Sequence, residues 1–228
     1  MFFKELLKKE KNWVVAKNKM KEKPVLSDEF ESLLNKLGSF ESNPVIALSL
    51  SGGCDSLALL YLLKEWILKK NGIIKTFIVD HGLRQNSKNE AMKVKKIVES
   101  YNISCRILRW LGPKPKTRIM EYARNERYKL ITEACIEENI LHLFLGHHLN
   151  DNIETFLMRS QRKGHKNGLS SIPSIREQNS IRIIRPLLDI EKNRLVKTCE
   201  FHNQKWIEDP SNFDEKFERV RVRKKKKK

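Results

Sequence analysis

The sequence predicts an α/β fold: a doubly wound, mostly parallel sheet with helices on both faces. Three observations predict it. From Pro44 onward, short continuous apolar runs alternate with stretches of helical length. The segments between successive runs are long enough for crossover helices, which makes the strands parallel. The unusual polar residues fall directly after strand ends. Open sheets of this kind bind ligands at that rim.

The elements follow in order. Ser27-Asp28-Glu29 offers N-cap chemistry, and Phe30, Leu33, Leu34 and Leu37 recur at helical spacing before Gly38. This first helix is a lid on the core. Val45 to Leu50 is a short apolar run, the mark of a strand buried on both faces. A helix runs from about Ser56 to Lys70 and stops at Asn71-Gly72. Ile73 to Val79 is the second strand, and residues 88–100 form a basic amphipathic helix. Ile103 to Trp110 is the third strand; Gly112-Pro113-Lys114-Pro115 is a loop. A long helix spans about Arg118 to Glu138. Ile140 to Leu145 is the fourth strand, and Asp151 to Arg162 is helical. Residues 163–180, rich in Gly, Ser, Asn and Pro, read as a loop. Ile181 to Ile184 is a fifth strand and residues 191–203 a last helix. Beyond Asp209-Pro210-Ser211-Asn212 little regular structure is expected.

Length and charge bound the function. The 228 residues fit one domain with small appendages. With 39% apolar and 32% charged residues, a core can form. The net charge is +18, of which residues 221–228 carry +7 and the first 25 residues +5, leaving +6 over the body. The excess excludes an ordinary acidic enzyme and points to a polyanionic partner. The expected division is a basic N-terminal arm over 1–25, a catalytic domain over 26–212 and a basic tail over 213–228. The arm is either a loose helix or disordered, and the lysine run 224–228 is either solvated charge or an RNA contact. Cys54, Cys105, Cys135 and Cys199 form no C-x-x-C pair, so neither a metal knuckle nor a disulfide framework is expected, and a reducing cytosol fits. No secretory signal or membrane span is expected. The apolar stretch at 42–63 is broken by two glycines and Asp55.

Ser51-Gly52-Gly53-Cys54-Asp55-Ser56 joins a buried strand to a helix. Adjacent glycines let consecutive N–H groups converge at a helix N-terminus, which makes a phosphate cradle. The Ser51 and Ser56 hydroxyls can add donors. The loop lacks the Walker lysine and is not a G-x-G-x-x-G fingerprint. The plainer alternative is a tight turn with an N-cap.

Further motifs stand in order along the chain. They are Val-Asp-His-Gly-Leu-Arg at 79–84, Ala-Arg-Asn-Glu-Arg-Tyr at 123–128 and His-His-Leu-Asn-Asp-Asn-Ile-Glu-Thr at 147–155. Arg-Pro-Leu-Leu at 185–188, Trp-Ile-Glu-Asp-Pro-Ser-Asn at 206–212 and Phe-Glu-Arg-Val-Arg-Val-Arg at 217–223 complete the set. With S-G-G-x-D-S, this ordered set resembles the tRNA(Ile)-lysidine synthases, a family of PP-loop ATP pyrophosphatases. The resemblance runs from about Val45 to Arg223. It implies an adenine nucleotide alpha hydrolase-like fold and a cytoplasmic ligase. The implied reaction joins L-lysine to carbon 2 of the wobble cytidine of the isoleucine tRNA with the CAU anticodon. ATP becomes AMP and pyrophosphate, with Mg2+ as the metal. The family often forms homodimers.

The resemblance also implies site roles. Ser51, Gly52, Gly53, Cys54, Asp55 and Ser56 bind the pyrophosphate. Asp55 and Asp151 are the Mg2+ or orienting carboxylates. Asp80 and His81 face adenine, ribose or lysine, and His147 and His148 face nucleotide or tRNA. Arg84, Arg124 and Arg127 stabilise phosphates or developing charge. The expected catalytic set is Asp55, Asp80, Arg127 and Asp151. Glu154 either joins Asp151 on one helix face or is solvated. Arg127 and Tyr128 are either functional or packed inside the long helix.

Some positions depart from the family pattern. Asn150 and Asn152 stand where Asp and Gln are usual, and Asn150 removes a charge from a carboxylate pair. The loop 164–168 is a basic insert near the expected substrate approach. At the end, the usual C-terminal tRNA-binding domains are expected to be absent, and the lysine run is expected to be either a minimal RNA tether or the trace of a lost domain. Two other functions remain: tRNA thiolation within the same superfamily, and a non-catalytic nucleotide- or RNA-binding remnant. The scattered cysteines read as core residues, which weighs against sulfur chemistry.

Overall fold

The computed structural model describes residues 23–113, 115, 117–161, 171–208, 218 and 220–222. Helix α1 is Ser27–Asn35, followed by strand β1, Val45–Leu50, and helix α2, Cys54–Lys69. Then come β2 (Ile73–Asp80), α3 (Ser87–Glu99), β3 (Ser104–Arg109) and α4 (Ile119–Glu137). The chain continues through β4 (His142–Phe144), α5 (Leu149–Gln161), β5 (Ile175–Gln178), β6 (Ile181–Ile184) and α6 (Lys192–Phe201). The six strands form one sheet in the order β3-β2-β1-β4-β6-β5. All pairs are parallel except β5 with β6. Strand order reverses between β1 and β4, so the crevice at their carboxyl ends is the ligand position of this architecture.

Strand alternation divides the core. Ile46, Leu48 and Leu50 of β1 face a cluster that includes α2, Phe30 and Leu34 of α1, Val94 and Val98 of α3, and Leu195 and Cys199 of α6. Ala47 faces the other side, with Phe77, Leu143 and Ile183 against Ile131, Ala134 and Cys135 of α4. Helices therefore cover both faces, as expected. Helix α2 is buried nearly all round, from Cys54 through Ile67. A helix apolar on every side is stable only as the centre of such a layer.

Two expectations need correction. Residues 163–180 are not all loop, because Ile175–Gln178 is an edge strand. Gln178 pairs with Ile181 across Asn179 (φ +50) and Ser180 (φ +63). Two central residues with positive φ make a tight hairpin whose twist matches the strands. Residues 23–25, at the end of the expected arm, contact α6. Val25 is buried, its N–H donates to Thr198 Oγ1 at 3.0 Å, and Arg194 holds the Lys23 and Pro24 carbonyls. Near the other end, residues 218 and 220–222 are helical and Val220 and Val222 are buried, so regular structure resumes past residue 212. The arm over 1–22, the insert at 164–168 and the lysine run 224–228 lie outside the described residues. No helix among the described residues is long and apolar enough to cross a membrane.

His142 opens β4 at 2% exposure with its Nε2 2.8 Å from Glu41 Oε2. Burial holds its pKa below the usual 6.5, against the opposing pull of Glu41. The folded chain therefore resists a proton that the unfolded chain accepts, and stability falls as pH drops below about 6.5. Thermal melts should show this decline, and His142→Phe should make it shallower. Identical slopes in the two proteins would remove His142 from the account.

Candidate active site

The loop after β1 is built around Gly52. Its φ is +79, and a Cβ there would lie 2.3 Å from Val94 Cγ2. Only glycine fits both the backbone and the space. The loop then closes on itself. The Ser56 hydroxyl donates to the Gly53 carbonyl at 3.0 Å and accepts from the Ser51 N–H at 3.2 Å. The two serine hydroxyls lie 3.2 Å apart, and the Gly53 N–H donates to Ser51 Oγ at 3.3 Å. Ser56 is buried, while Ser51 is exposed at the rim. Two other elements clasp the loop. A Cβ on Gly146, after β4, would lie 3.0 Å from the Asp55 carbonyl. The Ile207 N–H donates to the Gly52 carbonyl at 3.0 Å, with Trp206 and Ile207 packed on the core.

Cys54 places its sulfur in the core, 3.8 Å from Cys199, and Cys199 donates to the Cys54 carbonyl at 3.3 Å. The Cys199 contact and burial push the Cys54 thiol pKa well up. Only its backbone is left to face the rim. All four cysteines are buried thiols.

A charged cluster stands beside the loop. His148, 1% exposed, has Nε2 3.5 Å from Asp55 Oδ2 and 3.5 Å from Asp151 Oδ2. Its Nδ1 accepts from the Asn150 N–H at 3.2 Å, which leaves the ring proton on Nε2, facing the carboxylates. Asp151 also accepts from the His148 backbone N–H at 3.2 Å. Lys192 Nζ, at the start of α6, lies 3.1 Å and 3.3 Å from the two Asp55 oxygens. Burial would raise the Asp55 pKa, but His148 and Lys192 outweigh it and hold the carboxyl below its usual range. Glu154 lies one turn beyond Asp151 at 4% exposure, so it is not a solvated helix residue.

Both asparagine departures have structural work. Asn150 Oδ1 accepts from the Lys192 N–H at 3.3 Å, and Asn152 Oδ1 accepts from the Ile172 N–H at 2.7 Å. Asn150 thus helps seat the helix that carries Lys192.

At the end of β2, Asp80 turns inward. It is 4% exposed, accepts from the Gly82 N–H at 3.0 Å and lies 3.7 Å from Arg109 Nε. Burial alone would raise its pKa, but bonds from Ser87 and Gly82 and the Arg109 charge hold it low. His81 lies at the rim, where Arg127 of α4 reaches its Nε2 at 3.4 Å. His147 is half-buried after β4. Arg84 pairs with Glu90 at 2.8 Å, and Arg124 lies over the Tyr128 ring.

The structure therefore joins Asp55 to Asp151 and His81 to Arg127. His148 and Lys192 were not in the expected core set. His148 had a sequence signal, being in the motif; Lys192 had none, because 137 residues separate it from Asp55. Among the described residues, no group of three or more His, Cys, Asp or Glu side chains could hold a metal. The Asp55 and Asp151 carboxylates converge on His148 Nε2, 3.5 Å from each, and are the oxygen donors that Mg2+ would use. This ion commonly takes one or two carboxylates and completes its shell with phosphate oxygens and water.

The chain is similar to known proteins. A family model described as a PP-loop domain matches residues 23–226. The tRNA(Ile)-lysidine synthase of Orientia tsutsugamushi is 43% identical over 190 residues, covering 83% of this chain and 43% of that protein. The synthase of Rickettsia akari is 41% identical, covering 88% and 46%. That of Rhodopseudomonas palustris is 38% identical, covering 81% and 54%. The chain thus spans about half the length of the curated relatives it matches. Among solved structures, the U34-tRNA thiolase NcsA of Methanococcus maripaludis superposes with a TM-score of 0.71 at 22% identity. It covers 86% of this chain and 71% of that one, a likeness of fold. The glycine-built loop at the sheet's switch point and the match across residues 23–226 lead to one conclusion: the chain belongs to the PP-loop domain family.

Proposed function

We propose that this chain is the ATP-using part of a tRNA(Ile)-lysidine synthase. It would ligate L-lysine to carbon 2 of the wobble cytidine in the CAU-anticodon isoleucine tRNA. The carrying observation is the rim itself. A phosphate-shaped loop, two converging carboxylates and an Arg–His pair share one edge of a sheet, in a chain about 40% identical to such synthases. The cytosol is the expected setting.

The chemistry divides into two steps. The cytidine carbonyl oxygen attacks the α-phosphate of ATP, and pyrophosphate leaves. The lysine ε-amine then attacks carbon 2, and AMP departs with the oxygen. Carbonyl oxygen is a poor leaving group until it is adenylated, so ATP cleavage must precede amine attack. The loop N–H groups of Gly52, Gly53 and Cys54, with the Ser51 hydroxyl, hold the departing pyrophosphate. Ser56 keeps the loop closed. Asp55 and Asp151 are the residues that would hold Mg2+, which when bound neutralises charge on the phosphates. Asp80 fixes the turn that presents His81. His81 and Arg127 face the nucleotide, and His147, after β4, is assigned to the same ligand.

Incubation with ATP, Mg2+, labelled lysine and the CAU-anticodon isoleucine tRNA should put label in the tRNA. Bound ATP without label transfer would favour a non-catalytic remnant, and sulfur transfer instead would favour thiolation. Asp55→Ala and Ser51→Ala should each lower AMP formation by about 10²- to 10³-fold, the size of losing one preorganised charge-stabilising group, while tRNA binding survives. Unchanged AMP formation would break the loop assignment.

Lys192→Ala removes a cation from Asp55, so the Asp55 pKa should rise. The acid limb of the rate profile should then move to higher pH; a fixed limb would argue against Asp55 as the ionised group. Gly52→Ala adds about 1–2 kcal/mol of backbone cost before any clash with Val94. It should weaken ATP binding, read by calorimetry, and normal binding would mean the loop does not need this turn.

A further inference from the structure

A cavity of about 370 Å3 opens between α4 and the β5–β6 hairpin. Arg124, Lys129 and Arg176 line it against one acid, Glu133. Among the described residues, Lys129 and Arg176 have no ion-pair partner. Arg124 instead lies 5.3 Å from the Tyr128 ring centroid, with Nη2 3.4 Å from the hydroxyl. Behind the same hydroxyl stands Arg185, 3% exposed. Its Nη2 lies 3.4 Å from the Tyr128 oxygen and its Nη1 2.9 Å from the Pro173 carbonyl. Its Nε is buried without a hydrogen-bond partner, and no described carboxylate pairs with it. A buried guanidinium lacking a counter-ion keeps a strong field, because little water screens it. Four cations thus back one polar, solvent-open groove.

We infer that this groove binds the phosphodiester backbone of RNA, at a position distinct from the PP-loop. The inference rests on the tRNA reading above. A compact carboxylate or single phosphate needs a small enclosed site, whereas these cations are spread over two elements and a wide opening. Apart from the Tyr128 ring the lining is polar, so backbone charge is read here and not base identity. Arg124 and Tyr128 flank Arg127 on α4, and Arg127 reaches His81 at the rim. A strand lying along α4 would therefore arrive at the ATP site.

The test is fluorescence anisotropy with the full chain over a salt series, using the CAU-anticodon isoleucine tRNA and an unrelated RNA of equal length. Lys129→Glu with Arg176→Glu should weaken binding of both RNAs about 10-fold and flatten the log–log salt slope by about 1.5, as for two lost phosphate contacts. ATP affinity should not change. Lys129→Gln with Arg176→Gln, a milder pair, should give a smaller loss in the same direction. Glu133→Gln should tighten binding of both RNAs about 2-fold, a gain that misfolding cannot produce. Unchanged affinities and slopes in all variants, or a wild-type chain that binds no RNA, would overturn the groove. If the variants lose RNA binding while the wild type transfers no lysine to tRNA, the groove stands and the ligase reading falls. If the wild type does transfer lysine and the variants bind RNA normally, the reverse holds.

Discussion

The rim depends on one reversal of backbone. Between the last residue of β1 and the first turn of α2 the chain must change direction within three residues and still leave N–H groups for an anion. Gly52 at φ +79 makes that reversal, and the contact with Val94 leaves no room for a side chain. The turn is not held by its own bonds alone. Gly146 lets β4 approach the Asp55 backbone, and the Ile207 N–H holds the Gly52 carbonyl. Residues from across the chain thus fix a loop whose work is to present dipoles without rearranging.

Charge at the rim follows the same logic. Two carboxylates side by side would repel and raise each other's pKa. Here the His148 Nε2–H stands between Asp55 and Asp151, and Lys192 closes on Asp55. The cluster keeps Asp55 ionised while its net charge stays small. An incoming polyphosphate then meets a rim that is not strongly anionic. Asn150 contributes as well, since a neutral amide seats the Lys192 backbone without adding a further negative charge.

Much of the fold was legible because it is written in local patterns. The period of the apolar runs predicts the strands, and their spacing predicts the crossovers. The placement of Ser51–Ser56, Asp80-His81 and His147-His148 after strand ends predicts the rim. What was not legible lies in long-range pairing. Lys192 reaches Asp55, and Cys54 packs on Cys199 across 145 residues, with no shared motif. The β5 strand was hidden because Ile175 is its one apolar residue, while Arg176, Glu177 and Gln178 suit an exposed edge. Asp80 reads as a site carboxylate in the motif, yet its buried oxygens are committed to the turn and to Arg109. A motif says that a residue matters; it does not say whether its side chain faces the substrate or supports the neighbour that does.

In the proposed reaction this rim cleaves ATP between the α- and β-phosphates and passes AMP to the tRNA before lysine arrives. The most direct test is to supply ATP labelled at the α-phosphate together with the CAU-anticodon tRNA, and to withhold lysine. The account predicts label on the tRNA, pyrophosphate in solution, and release of labelled AMP once lysine is added. Label recovered as ADP, or left entirely in ATP, would contradict it.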